Sequence, residues 1–380
     1  MGEGGRRKIM LVVGEASGDL HGSRVVRALH QMDPAVEICA VAGEGLKREG
    51  VEVIFDMARL TGTGLAELAG NLRNIWRAYR LLKRTLREQK PNLLMLIDFP
   101  DFNMRLARVA KRLQVPVLYY ISPQVWAWRK RRITKIARWV DRMAVIFPFE
   151  VPLYEQAGVK VEYVGHPLLD VARHSRPRDA TLIQLGLDPS KQTIAMLPGS
   201  RRWEVAYHLP PMLEAAERLS HEMALQFVLV RASTIEQSDL EQRLARIPVR
   251  VSISDGDTYN VLHSCDLAWT ALGTATLETA LMLRPMIIVC RATWLTYGLA
   301  RLLLRVNHVG MANIMAGEKI VPELIQAEMT PERLVTETRA ILGNQELREW
   351  IILKLKEVRE KLGSPGAAGR VAEMALAMMN

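Results

Sequence analysis

The chain is poor in the residues that staple small secreted domains. It has three cysteines in 380 residues, Cys39, Cys265 and Cys290, odd in number, far apart and set in apolar runs. They read as buried free thiols of a reducing compartment rather than as a disulfide framework. The eight histidines show no H-x-x-x-H or H-E-x-x-H spacing, so a zinc-hydrolase pattern is excluded and no metal is expected. No G-x-x-x-x-G-K-[ST] loop and no G-x-S-x-G elbow occurs, which disfavours P-loop NTPases and serine hydrolases. No apolar run is long enough to span a bilayer, and residues 9–13 are too short for a signal-peptide core, so the expected location is the cytoplasm. Acidic residues are in deficit, 41 against 51 basic, for a formal charge of +10. That balance points to an anionic partner: nucleic acid, an acidic membrane surface or a phosphorylated substrate.

What is present is a large globular chain. Hydrophobic residues make up 49% and charged residues 24%, enough for a sizeable core, and the length exceeds what a single core supports, so two domains are expected. Short Val/Ile/Leu runs alternate with amphipathic segments, the pattern of parallel sheets covered by helices. Strands are expected at 9–13, 37–41, 51–55, 93–97, 115–120, 143–147 and 161–164, then at 193–197, 226–230, 249–253, 267–270 and 286–289. A polar stretch, 174–179, reads as the linker. The expected division is a first doubly wound domain at 1–168, a second, facing it, at 169–345, and a charged helical tail at 346–380.

Two strand-to-helix junctions carry most of the functional signal. In Leu197-Pro198-Gly199-Ser200-Arg201 and Leu272-Gly273-Thr274-Ala275-Thr276-Leu277-Glu278, glycine and a small hydroxyl residue stand where an apolar run meets a helical pattern. Free N–H groups and the positive end of a helix dipole there favour phosphate. Arg201 adds a guanidinium fork, and Glu278, one turn after Thr274, can accept hydrogen bonds from ribose hydroxyls. In the first half, Gly14-Glu15-Ala16-Ser17-Gly18-Asp19 lacks the G-x-G-x-x-G spacing, which argues against a dinucleotide fold. Its Ser17 and Gly18 either cap a helix or bind a sugar or acceptor phosphate.

Asp98 and Asp101 follow an apolar run beside Phe and Pro, where partial desolvation turns a carboxylate into a usable base. Asp98 is the better base, since Asp101 also reads as a helix cap. The loop Ser122-Pro123-Gln124-Val125-Trp126-Ala127-Trp128-Arg129 places Gln124 and Trp126 for sugar recognition or for an apolar mouth, with burial of one tryptophan the alternative. Asp255-Gly256-Asp257 reads as turn chemistry rather than a cation site, and His166 as structural.

Three further stretches stay open. In 65–90 an apolar stripe that includes Leu65, Leu68, Leu72, Trp76, Leu82 and Leu86 runs beside Arg73, Arg77, Arg80, Arg84 and Arg87: an interfacial helix or one packed on the sheet. Arg129-Lys130-Arg131-Arg132 with Lys135, Arg138 and Arg142 binds phosphate or membrane, or is solvated. The apolar segment 294–306 is core or a wall for lipid.

Taken in order, Gly14 to Asp19, Val41-Ala42-Gly43, Asp98-Phe99-Pro100-Asp101-Phe102-Asn103, the Ser122 to Arg129 loop, Pro148-Phe149-Glu150, Val164-Gly165-His166-Pro167, the two junctions and Asn313-Ile314-Met315-Ala316-Gly317 are spaced as in one family. The chain resembles the lipid-A-disaccharide synthases, inverting glycosyltransferases of GT-B architecture with two facing Rossmann-like domains. The resemblance implies a UDP-2,3-diacylglucosamine donor, a 2,3-diacylglucosamine 1-phosphate acceptor, no cofactor, and peripheral attachment to the anionic inner membrane, with self-association open. It implies Asp98 as base, Arg201 and the amides after Gly199 on the pyrophosphate, Glu278 on the ribose, and Asn313 lining the donor site. The rival readings are a GT-B enzyme on an unacylated UDP-sugar, and a basic protein that binds membrane or nucleic acid without catalysis.

Overall fold

The computed structural model describes residues 7–60, 67–126, 132–245, 247–293, 298 and 308–379. Leu65, Trp128, the run Arg129-Lys130-Arg131 and nearly all of 294–306 lie outside the described residues. The chain divides into two units, one of Met1–Asp170 with Leu362–Asn380, the other Val171–Lys361.

The first unit is built on seven parallel strands: β1 (Lys8–Val12), β2 (Glu37–Ala42), β3 (Glu52–Asp56), β4 (Leu93–Ile97), β5 (Val117–Tyr120), β6 (Arg142–Val145) and β7 (Lys160–Tyr163). Their order is β3-β2-β1-β4-β5-β6-β7. β4 is apolar throughout because both of its faces are covered, as a central parallel strand requires. Between β1 and β4, paired with Val12 against Leu96, the winding reverses. The chain leaves β1 through the helix Ala16–Met32 towards β2, and β4 through the helix Pro100–Arg112 towards β5. Helices that depart in opposite directions open a crevice at the carboxyl ends of these two strands.

The second unit repeats the plan with β8 (Gln192–Leu197), β9 (Leu225–Arg231), β10 (Val251–Asp255), β11 (Leu267–Ala271), β12 (Met286–Cys290) and β13 (Glu323–Ile325), ordered β10-β9-β8-β11-β12-β13. Its switch point lies between β8 and β11, where Leu197 pairs with Thr270. The buried Trp269 of β11 donates its indole N–H to Thr338 Oγ1 at 3.0 Å, which satisfies the one polar atom it brings into the core.

Three boundaries differ from the sequence reading. β13 has only three residues after Pro322 and gives no period-two signal of its own. The units part at Asp170, ahead of the polar stretch 174–179, and the helix Arg178–Gln184 already begins inside that stretch. The stretch 346–380 is shared between the units. The helix Gln345–Lys361 buries Ile351, Leu355 and Val358 in the second. The helix Ala367–Met379 buries Val371, Ala372 and Ala375 in the first, against the helix Ala16–Met32. Arg370 fastens it there, donating to the carbonyls of Val164 at 2.8 Å and Ser364 at 2.7 Å, while Gly366 N–H donates to Asp170 at 2.6 Å. An apolar face three turns long has to be covered, and the first unit covers it.

Candidate active site

Each crevice gathers the residues singled out in the sequence. In the first unit β4 ends in Asp98 and Phe99, with φ of +48° and +47°. Two successive non-glycine residues in the left-handed region store on the order of 2–6 kcal/mol, a strain that persists only where surroundings over-determine it. They do here. Asn103, fully buried, donates its amide to the carbonyls of Ile97 at 3.2 Å and Asp98 at 2.7 Å, and the Tyr119 hydroxyl donates to the Asp98 carbonyl at 2.5 Å. The Phe99 ring lies over Gly14, where any Cβ would sit 2.1 Å from it, so the turns after β1 and β4 interlock.

The interlock presents the Asp98 carboxyl. Burial, aided by the negative charge of Glu15, pushes its pKa up to about 6. Asp101 is exposed and ion-pairs with Arg132, which leaves Asp98 as the desolvated member of the pair. Ser17 is exposed in the first turn of its helix, whereas Gly18 is buried against Val13 and Ile97 and offers backbone only. Asp19 is structural. Its carboxylate accepts the amides of Gly43 at 2.8 Å, Gly45 at 2.7 Å and Leu46 at 3.2 Å, tying two of the family strings together at a helix N-terminus.

Gln124 is exposed and Trp126 half-buried, its ring edge-on to Phe149 with centroids 5.1 Å apart. Beneath them lies a residue the sequence did not single out. Glu150 is 1% exposed, takes the hydroxyl of Ser122 and the Phe147 amide (3.2 Å) and lies against the Trp126 indole. Burial outweighs those bonds and pushes its pKa up to about 7. Its only sequence trace is Pro148-Phe149-Glu150.

In the second unit Gly199, at φ +124°, makes the sharp exit from β8, and Gly273, at φ +151°, the exit from β11. The amides after Gly199 are not open. Glu204 accepts Ser200 N–H at 2.8 Å and Arg201 N–H at 3.0 Å and fills the space a Gly199 side chain would need. This internal cap corrects the expectation that those amides face a phosphate, and it has a sequence signal, Glu at the third position of the helix Arg202–Ser220. The Arg201 guanidinium stays largely exposed. Thr274 is exposed at the start of the helix Thr274–Leu281, while the Thr276 hydroxyl donates to the Gly273 carbonyl at 2.7 Å and fixes the turn.

Glu278 is partly buried, which raises its pKa, and one oxygen accepts the Tyr259 hydroxyl at 2.9 Å. His208, also unforeseen, bridges the Pro198 carbonyl (2.7 Å) and the Arg291 amide (2.9 Å), joining the turns after β8 and β12; burial lowers its pKa. Asn313 departs from expectation. Fully buried, it donates to the Val321 carbonyl and Glu323 and accepts from the amides of Ile320 and Val321, so its side chain organises the segment 309–323 instead of lining a site.

Asp255 and Asp257 are ion-paired to Arg231 and Arg176, as turn residues. Among the described residues there is no group of three or more His, Cys, Asp or Glu side chains that could hold a metal ion, and no helix long and apolar enough to cross a membrane.

Comparison with known proteins agrees along the length. The family model for Lipid-A-disaccharide synthetase matches residues 9–368. The Lipid-A-disaccharide synthase of Geobacter metallireducens is 46% identical over 380 residues, covering 100% of this chain and 99% of that protein. That of Syntrophus aciditrophicus is 46% identical over 373 residues, covering 98% and 97%. Among solved structures, the S. aureus MnaA-UDP co-structure aligns with a TM-score of 0.65 at 14% identity over 97% of this chain and 95% of that one. Acinetobacter baumannii MurG aligns with 0.62 at 16% over 98% and 99%. At such identities these two show the fold, two parallel-sheet units of GT-B type. With a family model spanning nearly every residue and relatives almost half identical end to end, the chain belongs to the lipid-A-disaccharide synthase family, glycosyltransferases that form the disaccharide of lipid A.

Proposed function

We propose that the chain moves 2,3-diacylglucosamine from UDP to the 6-hydroxyl of 2,3-diacylglucosamine 1-phosphate, giving the β-1,6-linked disaccharide 1-phosphate and UDP. Asp98 takes the hydroxyl proton as the oxygen attacks the anomeric carbon. The bond from that carbon to the diphosphate oxygen breaks, and UDP leaves with the electron pair. The observation that carries this reading is Asp98 itself, a carboxylate held by a strained, over-determined turn at a switch point with its pKa near 6, where a base for a neutral-pH reaction belongs.

In the second unit the Arg201 fork and the helix N-terminus at Gly273-Thr274 stabilise the departing charge without a metal. Glu278, with one oxygen on Tyr259, keeps the other for a ribose hydroxyl. Ser200 contributes through its exposed side chain, since Glu204 holds its amide. Ser17, the Gly18 backbone, Gln124 and Trp126 take the acceptor sugar. The solved MnaA complex holds UDP on the same fold, which supports a UDP-linked donor here.

The helix Glu67–Gln89 serves as the contact with the anionic leaflet of the inner membrane from its cytoplasmic side. It buries Ala78, Leu82 and Leu86 and leaves Trp76 55% exposed beneath the Arg80 guanidinium, 3.9 Å from the ring centre. The test is UDP release from acylated and unacylated donors. Turnover of the acylated sugar is expected; turnover of the unacylated sugar alone rejects the reading.

A further inference from the structure

One strongly charged feature of the first unit takes no part in the crevice. Between the last turn of the helix Pro100–Arg112 and the helix Ile133–Trp139 runs a groove of about 530 Å³ lined by Arg108, Lys111, Arg112, Lys135, Arg138 and Trp139. Lys111 is neutralised by Asp141 at 2.5 Å, whose other oxygen accepts the Val117 amide at 2.9 Å. Arg108, Arg112, Lys135 and Arg138 form no ion pair among the described residues; Arg108 only faces the Trp139 ring, 5.8 Å from its centre. An adjoining recess adds Arg142 and Lys160, and its one carboxylate is the same Asp141. Four uncompensated cations around one groove repel each other until an anion joins them.

Position and surroundings narrow the anion. Val117 and Arg142 begin β5 and β6, so the groove lies at the amino ends of the strands, opposite the crevice of Asp98. The helix Glu67–Gln89 packs on Pro100–Arg112, which packs on Ile133–Trp139, so the groove belongs to the same helical layer as the exposed Trp76 and Leu81. Its walls are amphipathic: half-buried Trp139 on one side, Val140 and Met378 in the recess. A soluble phosphate has no use for such walls, whereas a phosphodiester attached to a glycerol backbone does.

We propose that this groove is a headgroup site for an acidic phospholipid, with the phosphodiester among Arg108, Arg112, Lys135 and Arg138 and the glycerol against Trp139. The proposal extends the membrane contact suggested above and does not depend on the reaction assigned to the crevice.

The test compares binding of the full chain to phosphatidylcholine vesicles with and without phosphatidylglycerol. Arg108→Gln/Arg138→Gln is expected to lose roughly thirtyfold of the phosphatidylglycerol-dependent partition, about fivefold per cation. The control Arg48→Gln/Arg105→Gln removes equal charge from exposed positions of the first unit outside both the groove and the helix Glu67–Gln89, and is expected to lose only a few-fold. Short-chain phosphatidylglycerol is expected to compete for the groove, and inorganic phosphate is not. Equal losses in the two pairs, or equal competition by inorganic phosphate, overturns the proposal. UDP release by the groove variant in detergent micelles free of acidic lipid is expected to match the unsubstituted chain, and its loss there also counts against the site. Failure of the unsubstituted chain to use the acylated donor rejects the reaction while leaving the vesicle result intact.

Discussion

At the residue scale, Asp98 opposes folding in two ways, through a left-handed backbone and through a carboxylate kept from water. Its folded pKa, about 6, lies above the ordinary value of 3.8, so ionisation favours the unfolded chain. The penalty is absent below the unfolded pKa, grows as pH rises between the two values and is complete above the folded one. Asp98→Asn removes it and suits the left-handed backbone better. The variant is expected to be on the order of 2 kcal/mol more stable than the unsubstituted chain at neutral pH, with only the smaller backbone gain left near about pH 3, as followed by urea titration at both. Its turnover is expected to fall about 10²- to 10⁴-fold with UDP affinity unchanged. In the unsubstituted chain, kcat/KM is expected to drop about tenfold per pH unit below about 6, the reverse of the stability trend. A flat profile removes Asp98 from the proton transfer.

At the scale of elements, function rests on how short segments end. The exits from β1 and β4 interlock because Gly14 leaves room for the Phe99 ring. In Gly14→Ala the ring has to move, and the turn that aims Asp98 moves with it. A loss of about 10² in kcat is expected, with a stability cost of about 1–3 kcal/mol, checked by single-turnover rates beside thermal unfolding. The segment 309–323 depends in the same way on Asn313, and Asn313→Ala strands the amides of Ile320 and Val321 and takes from Glu323 a donor it shares with the amides of Val309 and Gly310. A loss of about 3 kcal/mol in the stability of the second unit is expected, read from hydrogen exchange at β11 and β12.

The same elements separate what was legible in the sequence from what was not. Apolar runs such as Leu93–Ile97 and Leu267–Ala271 announced the central strands because complete burial leaves no charged position in them. The two junctions were legible as strand-to-helix exits because a glycine stands in each where an apolar run gives way to a helical pattern. The inward turn of Asn313 was not, since its partners lie seven to ten positions away on a loop with no periodicity. Nor was the burial of Glu150: three residues with one charge look the same whether that charge meets solvent or a serine.

At the scale of the whole molecule, the first unit is assembled from both ends of the chain. Ala375, fully buried on the last helix, tests that dependence. Ala375→Asp places an unpaired carboxyl against the helix Ala16–Met32 and is expected to destabilise by about 3 kcal/mol or more. The loss is expected in the amide protection of β1 and β4, with β8 and β11 unaffected, since the helix belongs to the first unit and packs on the helix Ala16–Met32 and on β4. Equal loss in both sheets means that the units unfold as one body.

The return of the last helix also sets a timetable during synthesis. A ribosome delivers β1 to β7 first, yet the segment that covers the helix Ala16–Met32 follows only after the whole of Val171–Lys361. The second unit is therefore contiguous in the order of synthesis, and the N-terminal unit waits, its helix Ala16–Met32 uncovered on one side, for the closing turns. A polypeptide cut before residue 362 keeps every residue of the second unit and lacks the closing helix of the first.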